Sequence, residues 1–225
     1  MVPPLALDID GTLTTPAHRI DPRVFDWLPE WSAPVVIATG KSFPYPVALC
    51  HFLGIPERVI AENGGVVCAE ERVSFQGDRD AAEAAIEEFQ ARGGDLGWGA
   101  ADTTNRWRES EIAASIDADE TLLGEVATEF DLEVVDTGYA YHLKTPGVEK
   151  GRGLTAVAEL LDLDPSEFVA IGDSENDVSL FEAAGESYAV ANADENALSA
   201  AETITEGSYF DGTQSVFERL AERDE

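Results

Sequence analysis

Leu5-Ala6-Leu7-Asp8-Ile9-Asp10-Gly11-Thr12-Leu13 decides the fold. A short apolar run feeds directly into two carboxylates spaced i, i+2, and a glycine then releases the backbone. In extended chain that spacing points both acids the same way. A strand ending at about Asp8 would set them on the loop at its carboxyl end, where open α/β sheets bind ligands. Taken alone the stretch also reads as an Asp-rich turn, because Asp and Gly are ordinary turn residues.

Two other short apolar runs end in the same way. Pro34-Val35-Val36-Ile37-Ala38 runs into Thr39-Gly40-Lys41-Ser42, and Phe168-Val169-Ala170-Ile171 runs into Gly172-Asp173-Ser174-Glu175-Asn176-Asp177. Continuous β-rich runs of this kind fit strands covered on both faces. Helical segments alternate with them. Asp21-Pro22 reads as an N-cap and N1 pair ahead of a helix burying Val24, Phe25, Trp27 and Leu28. A second helix runs through Val47, Leu49 and Phe52 to Gly54, and a third opens at Lys150 and carries Leu154, Val157, Leu160 and Leu161. Val59-Ile60-Ala61, the turn Glu62-Asn63-Gly64-Gly65 and Val66-Val67-Cys68 read as a strand pair. Tyr188-Ala189-Val190 is a further strand, and Asp211 to Glu222 a last amphipathic helix.

The pattern changes between residues 72 and 147. Arg72-Val73-Ser74-Phe75 is short and alternating. Helices are expected over 78–92 and 119–130. Strands are expected over 111–117, at Leu132-Glu133-Val134-Val135, and at Tyr139-Ala140-Tyr141-His142-Leu143 after a turn at Asp136-Thr137-Gly138. This reads as a small α+β unit with an antiparallel sheet. The expected architecture is therefore α/β: a Rossmann-like parallel sheet core from residues 1–71 and 148–225, with an α+β cap inserted over 72–147.

Parallel strands place their carboxyl-end loops on one edge of the sheet. That edge would gather Asp8, Asp10, Asp173 and Asp177 with the Thr39 hydroxyl. Four carboxylates call for a divalent cation, and Mg²⁺ prefers such hard oxygen donors. One cation does not neutralise all four, so a basic group belongs beside them, and Lys150 can supply it. Alone, Thr39 reads as an ordinary strand end, Lys150 as a solvated helix terminus and Asp177 as a helix cap.

Composition narrows the partners. The 225 residues hold 45 acidic side chains against 14 basic, a formal net charge of −31. Nucleic acid and anionic membranes would be repelled by such a surface. The chain is 44% hydrophobic, with no apolar run long enough to span a bilayer. Its start lacks a basic region followed by a long apolar stretch, so no signal peptide is evident and a cytoplasmic location is expected. Cys50 and Cys68 read as free thiols, and the three histidines are too scattered for a zinc site. Lysine is scarce, at Lys41, Lys144 and Lys150 only. Strong acidity with few lysines fits a protein built for high salt, where screening relieves self-repulsion. Monomer and dimer both stay open.

Asp8-Ile9-Asp10-Gly11-Thr12, Thr39-Gly40, Lys150 and Gly172-Asp173-Ser174-Glu175-Asn176-Asp177 resemble the four motifs of the haloacid dehalogenase superfamily. Their order and spacing resemble the members with a cap between the second and third motifs. More narrowly, Glu62-Asn63-Gly64-Gly65 and Thr104-Asn105-Arg106-Trp107-Arg108-Glu109-Ser110 look like archaeal phosphoglycolate phosphatases. Lys41 departs from the Asn or Arg common after the second-motif glycine.

The resemblance implies a Mg²⁺-dependent phosphatase of a small phosphorylated substrate, with 2-phosphoglycolate favoured. It implies Asp8 as nucleophile and Asp10 as general acid and base. It implies metal ligation by Asp8, the Asp10 backbone carbonyl, Asp173 and Asp177, and phosphoryl binding by Thr39, Gly40 and Lys150. An acid at position 10 separates the chain from the dehalogenases themselves. A sugar-phosphate phosphatase and a phosphomutase remain alternatives on the same scaffold, and a non-catalytic metal-binding module is the rival from another class. Arg106 and Arg108, flanking Trp107, either form a fork for a substrate carboxylate or match nearby glutamates as surface charges. His142 is expected to be packed or hydrogen-bonded rather than catalytic.

Overall fold

Leu5, Ala6 and Leu7 are wholly buried, because the strand they form lies inside an eight-stranded sheet and is covered on both faces. The computed structural model describes residues 2–137 and 140–223. The core elements up to the insert are β1 (Leu5–Leu7), α1 (Val24–Glu30), β2 (Val35–Ala38), α2 (Pro44–Leu53), β3 (Val59–Ala61), β4 (Val66–Ala69) and β5 (Arg72–Phe75). The insert supplies α3 (Arg79–Ala91), β6 (Ile112–Ser115), α4 (Glu120–Glu129), β7 (Glu133–Asp136) and β8 (Ala140–Lys144). The core resumes with α5 (Lys150–Leu161), β9 (Val169–Gly172), α6 (Val178–Ala183), β10 (Glu186–Ala189), α7 (Glu195–Ala200), β11 (Thr203–Ile204) and α8 (Tyr209–Glu222).

The large sheet has the order β11-β10-β9-β1-β2-β3-β4-β5. From β11 to β3 every pairing is parallel, and β4 and β5 turn back antiparallel. Leu5 and Leu7 register with Val35 and Ile37 on one side and with Val169 and Ile171 on the other. Strand side chains alternate between faces, and the two cores divide accordingly. Leu5, Leu7, Val35, Ile37, Val169 and Ile171 pack under α1, α2 and α8, through Val24, Leu28, Cys50, Leu53, Phe210 and Phe217. Ala6, Val36, Ala38, Ile60 and Ala170 pack under α5, α6 and α7, through Leu154, Val157, Leu180 and Ala197.

The insert has a sheet of its own, ordered β6-β8-β7 and wholly antiparallel. Ile112, Ala114, Tyr141 and Leu143 join Ala85, Phe89, Leu123 and Val126 of α3 and α4 in a third core. His142 lies between Tyr141 and Leu143, so it belongs to the opposite face of that sheet. The expected turn residue Gly138 and strand residue Tyr139 lie outside the described residues.

Several local expectations are corrected. Arg72–Phe75 extends the core sheet beside β4 rather than joining the insert's sheet. Ala69 pairs with Arg72, which leaves a two-residue turn of Glu70 and Glu71 with φ of 50° and 61°. Two consecutive positive φ values are the tight hairpin geometry, made here without its usual Asn-Gly signature. The first helix begins at Val24; Asp21 instead accepts a hydrogen bond from the Arg23 amide at 3.0 Å and pairs with the Arg23 guanidinium. Phe25 and Phe52 are exposed, while Val24, Leu28, Pro46, Cys50 and Leu53 are the buried residues of those helices. The short α7 and β11 carry too few residues to show a period. Among the described residues no helix is long and apolar enough to cross a membrane.

Candidate active site

β1 stops at Leu7, so Asp8 and Asp10 fall on the loop at its carboxyl end, as Thr39 does after β2 and Asp173 after β9. Asp8 is 4% exposed and Lys150 is fully buried. The Lys150 ammonium, in the first turn of α5, donates to Asp8 Oδ1 at 2.8 Å and to Asp177 Oδ1 at 2.6 Å. Asp177 Oδ2 accepts from the backbone amides of Asp173 at 3.0 Å and Ser174 at 3.2 Å, which folds the loop around it. Asp8, Asp173 and Asp177 bring carboxylate oxygens within 4.8 Å of one another. Asp8 Oδ2 is buried with no hydrogen-bond partner. Gly11, with φ of +80°, lets Asp173 in: a Cβ there would stand 1.8 Å from Asp173 Oδ2.

Asp10 is half exposed and holds Lys41, whose Nζ lies 2.9 Å from its Oδ2. Thr39 is buried, and its hydroxyl accepts from the Lys41 amide at 3.2 Å, leaving its own proton to donate. Asp8, Asp10, Thr39, Gly40 and Lys41 share one cavity of about 510 Å³ with Arg108 and His142 of the insert. A larger space of about 630 Å³ shares Lys150, Asn63 and Asn176 with the site but is lined by neither Asp8 nor Asp10.

The two arginines of the insert part company. Arg108 is 7% exposed, lines the cavity and donates to the Gly40 carbonyl at 3.1 Å. Arg106 is exposed and is not among the cavity's lining residues, so the two do not form a fork. The loop is pinned at Asn105, whose side chain donates to the Ala113 carbonyl at 2.8 Å and accepts from the Ala113 amide at 2.7 Å. That anchor sends the neighbouring side chains in different directions. His142 is buried and hydrogen-bonded, as expected, yet it also lines the site. Its Nδ1 lies 2.7 Å from Glu111 Oε1, and Glu111 also forms an ion pair with Arg108.

Core and insert are joined by two residues of the turn after β3. The Glu62 carboxylate accepts from the amides of Glu109 and Ser110 at 3.0 and 2.9 Å, from the Ser110 hydroxyl at 2.7 Å and from the Phe43 amide at 3.2 Å. Asn63 Oδ1 accepts from Asn176 at 3.1 Å, and its amide nitrogen reaches toward Glu111 at 3.4 Å. Glu62, Asn63 and Glu111 were not among the residues singled out from sequence for roles. Glu62 and Asn63 are signalled by closing a wholly apolar strand and by the Glu62-Asn63-Gly64-Gly65 resemblance, whereas no local pattern marks Glu111.

The family model of haloacid dehalogenase-like hydrolases matches residues 5–104 and 117–216. The chain belongs to that family. It is 63% identical to a phosphoglycolate phosphatase of Halorubrum lacusprofundi, with both chains covered in full, and 56% identical to one of Natronomonas pharaonis, covering 97% and 98%. A crystal structure from Thermoplasma acidophilum superposes with a TM-score of 0.85 at 25% identity, over 98% of this chain and 99% of that one.

The electrostatics of this haloacid dehalogenase-like site call for more positive charge than the protein provides. Burial pushes the Asp8 carboxyl up to about 7; Lys150 pulls it down while Asp177 and Asp10 push it up. Burial, with the Asp8 and Asp177 charges, pushes Asp173 up to about 9. Lys150 is held above its usual range: burial works against its charge, but Asp177 and Asp8 outweigh it. Fully ionised, the four carboxylates would face two ammonium groups, Lys41 and Lys150, and carry two negative charges in excess. The orphaned Asp8 oxygen and the all-oxygen donor set fit one hard divalent cation. Glu111 behaves oppositely. Burial alone would raise it, but His142 and Arg108 together hold it down at about 2.

Proposed function

We propose that this protein is a Mg²⁺-dependent phosphomonoesterase that hydrolyses 2-phosphoglycolate to glycolate and phosphate. The observation that carries the reading is a buried Asp8 that is paired with Lys150 and lines one cavity with Asp10. The full-length likeness to proteins named phosphoglycolate phosphatase supports the substrate.

Asp8 is the nucleophile. Its carboxylate oxygen bonds to phosphorus as the ester P–O bond breaks, and Asp10 gives its proton to the departing alkoxide. Asp10 then takes a proton from water. The water oxygen bonds to phosphorus, the P–O bond to Asp8 breaks, and phosphate leaves. Acid–base help of this kind contributes about 10²–10⁴-fold. Lys150 keeps Asp8 in place and, with the Thr39 hydroxyl and the Gly40 amide, binds the phosphoryl oxygens as charge redistributes. Asp8, Asp173, Asp177 and the Asp10 backbone carbonyl would hold Mg²⁺, which when bound screens the phosphate charge from the nucleophile. The segment between β5 and α5 serves as the cap and selects the substrate.

The test is phosphate release in molar KCl with Mg²⁺ across a panel of esters, wild type beside Asp8→Asn. A preference for 2-phosphoglycolate that the variant loses is the expected result. Broad release from sugar phosphates would keep the chemistry and overturn the substrate. No release from any ester would overturn the hydrolase reading and direct the test to phosphomutase activity.

A further inference from the structure

The core side of the cavity supplies Asp8, Thr39 and Lys41, and its cap side is built around Arg108 and His142. Each of these two side chains has one edge committed and one edge free. Arg108 Nη1 is bonded to the Gly40 carbonyl and to Glu111. Its Nε is buried without a partner, and its side-chain hydrogen bonds among the described residues are all made by Nη1, not Nη2. His142 Nδ1 lies against Glu111 and Asn63, while Nε2 has no partner among the described residues. Glu111 itself is 1% exposed, its carboxylate spent on Arg108, His142 and Asn63. The cluster therefore has no competing free carboxylate: Arg108 offers a donor edge, and His142 adds a second donor at Nε2 in the imidazolium form that pairs with Glu111. A guanidinium edge of two parallel N–H groups matches a carboxylate bidentately, and an unpaired buried donor is costly until an acceptor arrives.

The spacing is short. Arg108 touches the carbonyl of Gly40, the residue after Thr39. A ligand with its phosphate at Thr39 and Lys150 meets Arg108 after very few atoms. In 2-phosphoglycolate one methylene separates the ester oxygen from the carboxyl carbon.

We propose that Arg108 and His142 bind the substrate's carboxylate and so determine specificity, and that Glu111 is a positioning residue that orients both. This rests on the phosphomonoesterase reading. The quantity to measure is the ratio of kcat/KM for 2-phosphoglycolate to that for 2-hydroxyethyl phosphate, which replaces the carboxylate with a hydroxymethyl group. Arg108→Met and His142→Gln should each lower that ratio about 10- to 100-fold, the worth of a hydrogen bond to a charged group. Either variant suffices if the other fails to fold. Equal losses on both esters, leaving the ratio intact, would overturn the proposal. Glu111→Gln should lower the ratio through KM with kcat nearly held; a fall in kcat alike on both esters would mark a merely structural role and remove Glu111 from the proposal.

Binding to Asp8→Asn by calorimetry separates this proposal from the hydrolase reading. Tighter binding of 2-phosphoglycolate than of 2-hydroxyethyl phosphate, abolished by adding Arg108→Met, supports the carboxylate site even if the wild type turns over neither ester. Equal affinity for the two would overturn it whatever the turnover.

Discussion

Replacing Lys150 with methionine tests the charge balance of the site. Lys150 is fully buried and bonded to two carboxylates, at 2.8 and 2.6 Å. Methionine keeps the length and volume but leaves Asp8 and Asp177 without their common partner. Breaking a buried ion pair from one side costs about 3–5 kcal/mol. In a chain of this size each kcal/mol moves Tm by about 2–4 °C, so the metal-free variant should melt roughly 6–20 °C below wild type. The loss should be larger near pH 8 than near pH 5, because protonated carboxyls no longer repel. The remaining charge deficit grows from two to three, so Mg²⁺ should raise Tm more in the variant than in wild type. The assay is calorimetric unfolding in molar KCl, with EDTA and then with Mg²⁺, on both proteins. A Lys150→Met protein that melts within about 2 °C of wild type in EDTA would refute the reasoning, since a shift that small corresponds to no more than ~1 kcal/mol.

Asp8 and Asp173 have folded-state pKa values raised from 3.8 to about 7 and about 9, so the folded protein holds protons that the unfolded chain releases. Their contribution to metal-free stability is complete below about pH 4 and is lost as pH rises through both folded values; a Tm in EDTA that climbs between those limits would contradict this. Gly11→Ala puts a methyl group 1.8 Å from Asp173 Oδ2 at a φ of +80°, so Asp173 must withdraw. The Mg²⁺ concentration for half-maximal activity should then rise about 10- to 100-fold, as for other losses of support around a metal ligand; an unchanged Mg²⁺ titration would count against Asp173 as a ligand. With a net charge of −31, thermal stability should increase from low to molar KCl as self-repulsion is screened; a flat or falling Tm would dispose of the high-salt reading.

The parts of the site legible in sequence are those fixed by chain direction. Parallel strands all point their carboxyl ends one way, so Asp8, Thr39 and Asp173 had to meet once three apolar runs were recognised as β1, β2 and β9. Lys150 was legible for a related reason: it opens the helix that leads into β9, and four acids need a cation. What escaped depends on contacts between segments far apart in sequence. Glu111 and His142 meet because β6 pairs with β8 in a register that sets Ala113 opposite His142. No local pattern encodes that register. Arg106 and Arg108 sit in a loop without periodicity, and the Asn105 anchor to Ala113 decides which one turns inward. Arg72-Val73-Ser74-Phe75 is short and alternating, unlike the core strands before it, and the turn that returns it to the core sheet, Glu70-Glu71, adopts left-handed backbone that the residue types do not advertise.

The Glu62 carboxylate changes what kind of lid the insert can be. The polypeptide passes between core and insert twice, and Glu62 adds a non-covalent stitch, beside those of Arg108 and Asn63, through two amides and one hydroxyl of residues 109 and 110. Swinging the insert away would strip three donors from an acid with no exposure to water, and stranding such a group is costly. An insert stitched down in this way is a wall of the cavity rather than a swinging flap, and the space of about 510 Å³ behind it would suit a small phosphorylated acid and exclude a phosphate carried on another folded protein.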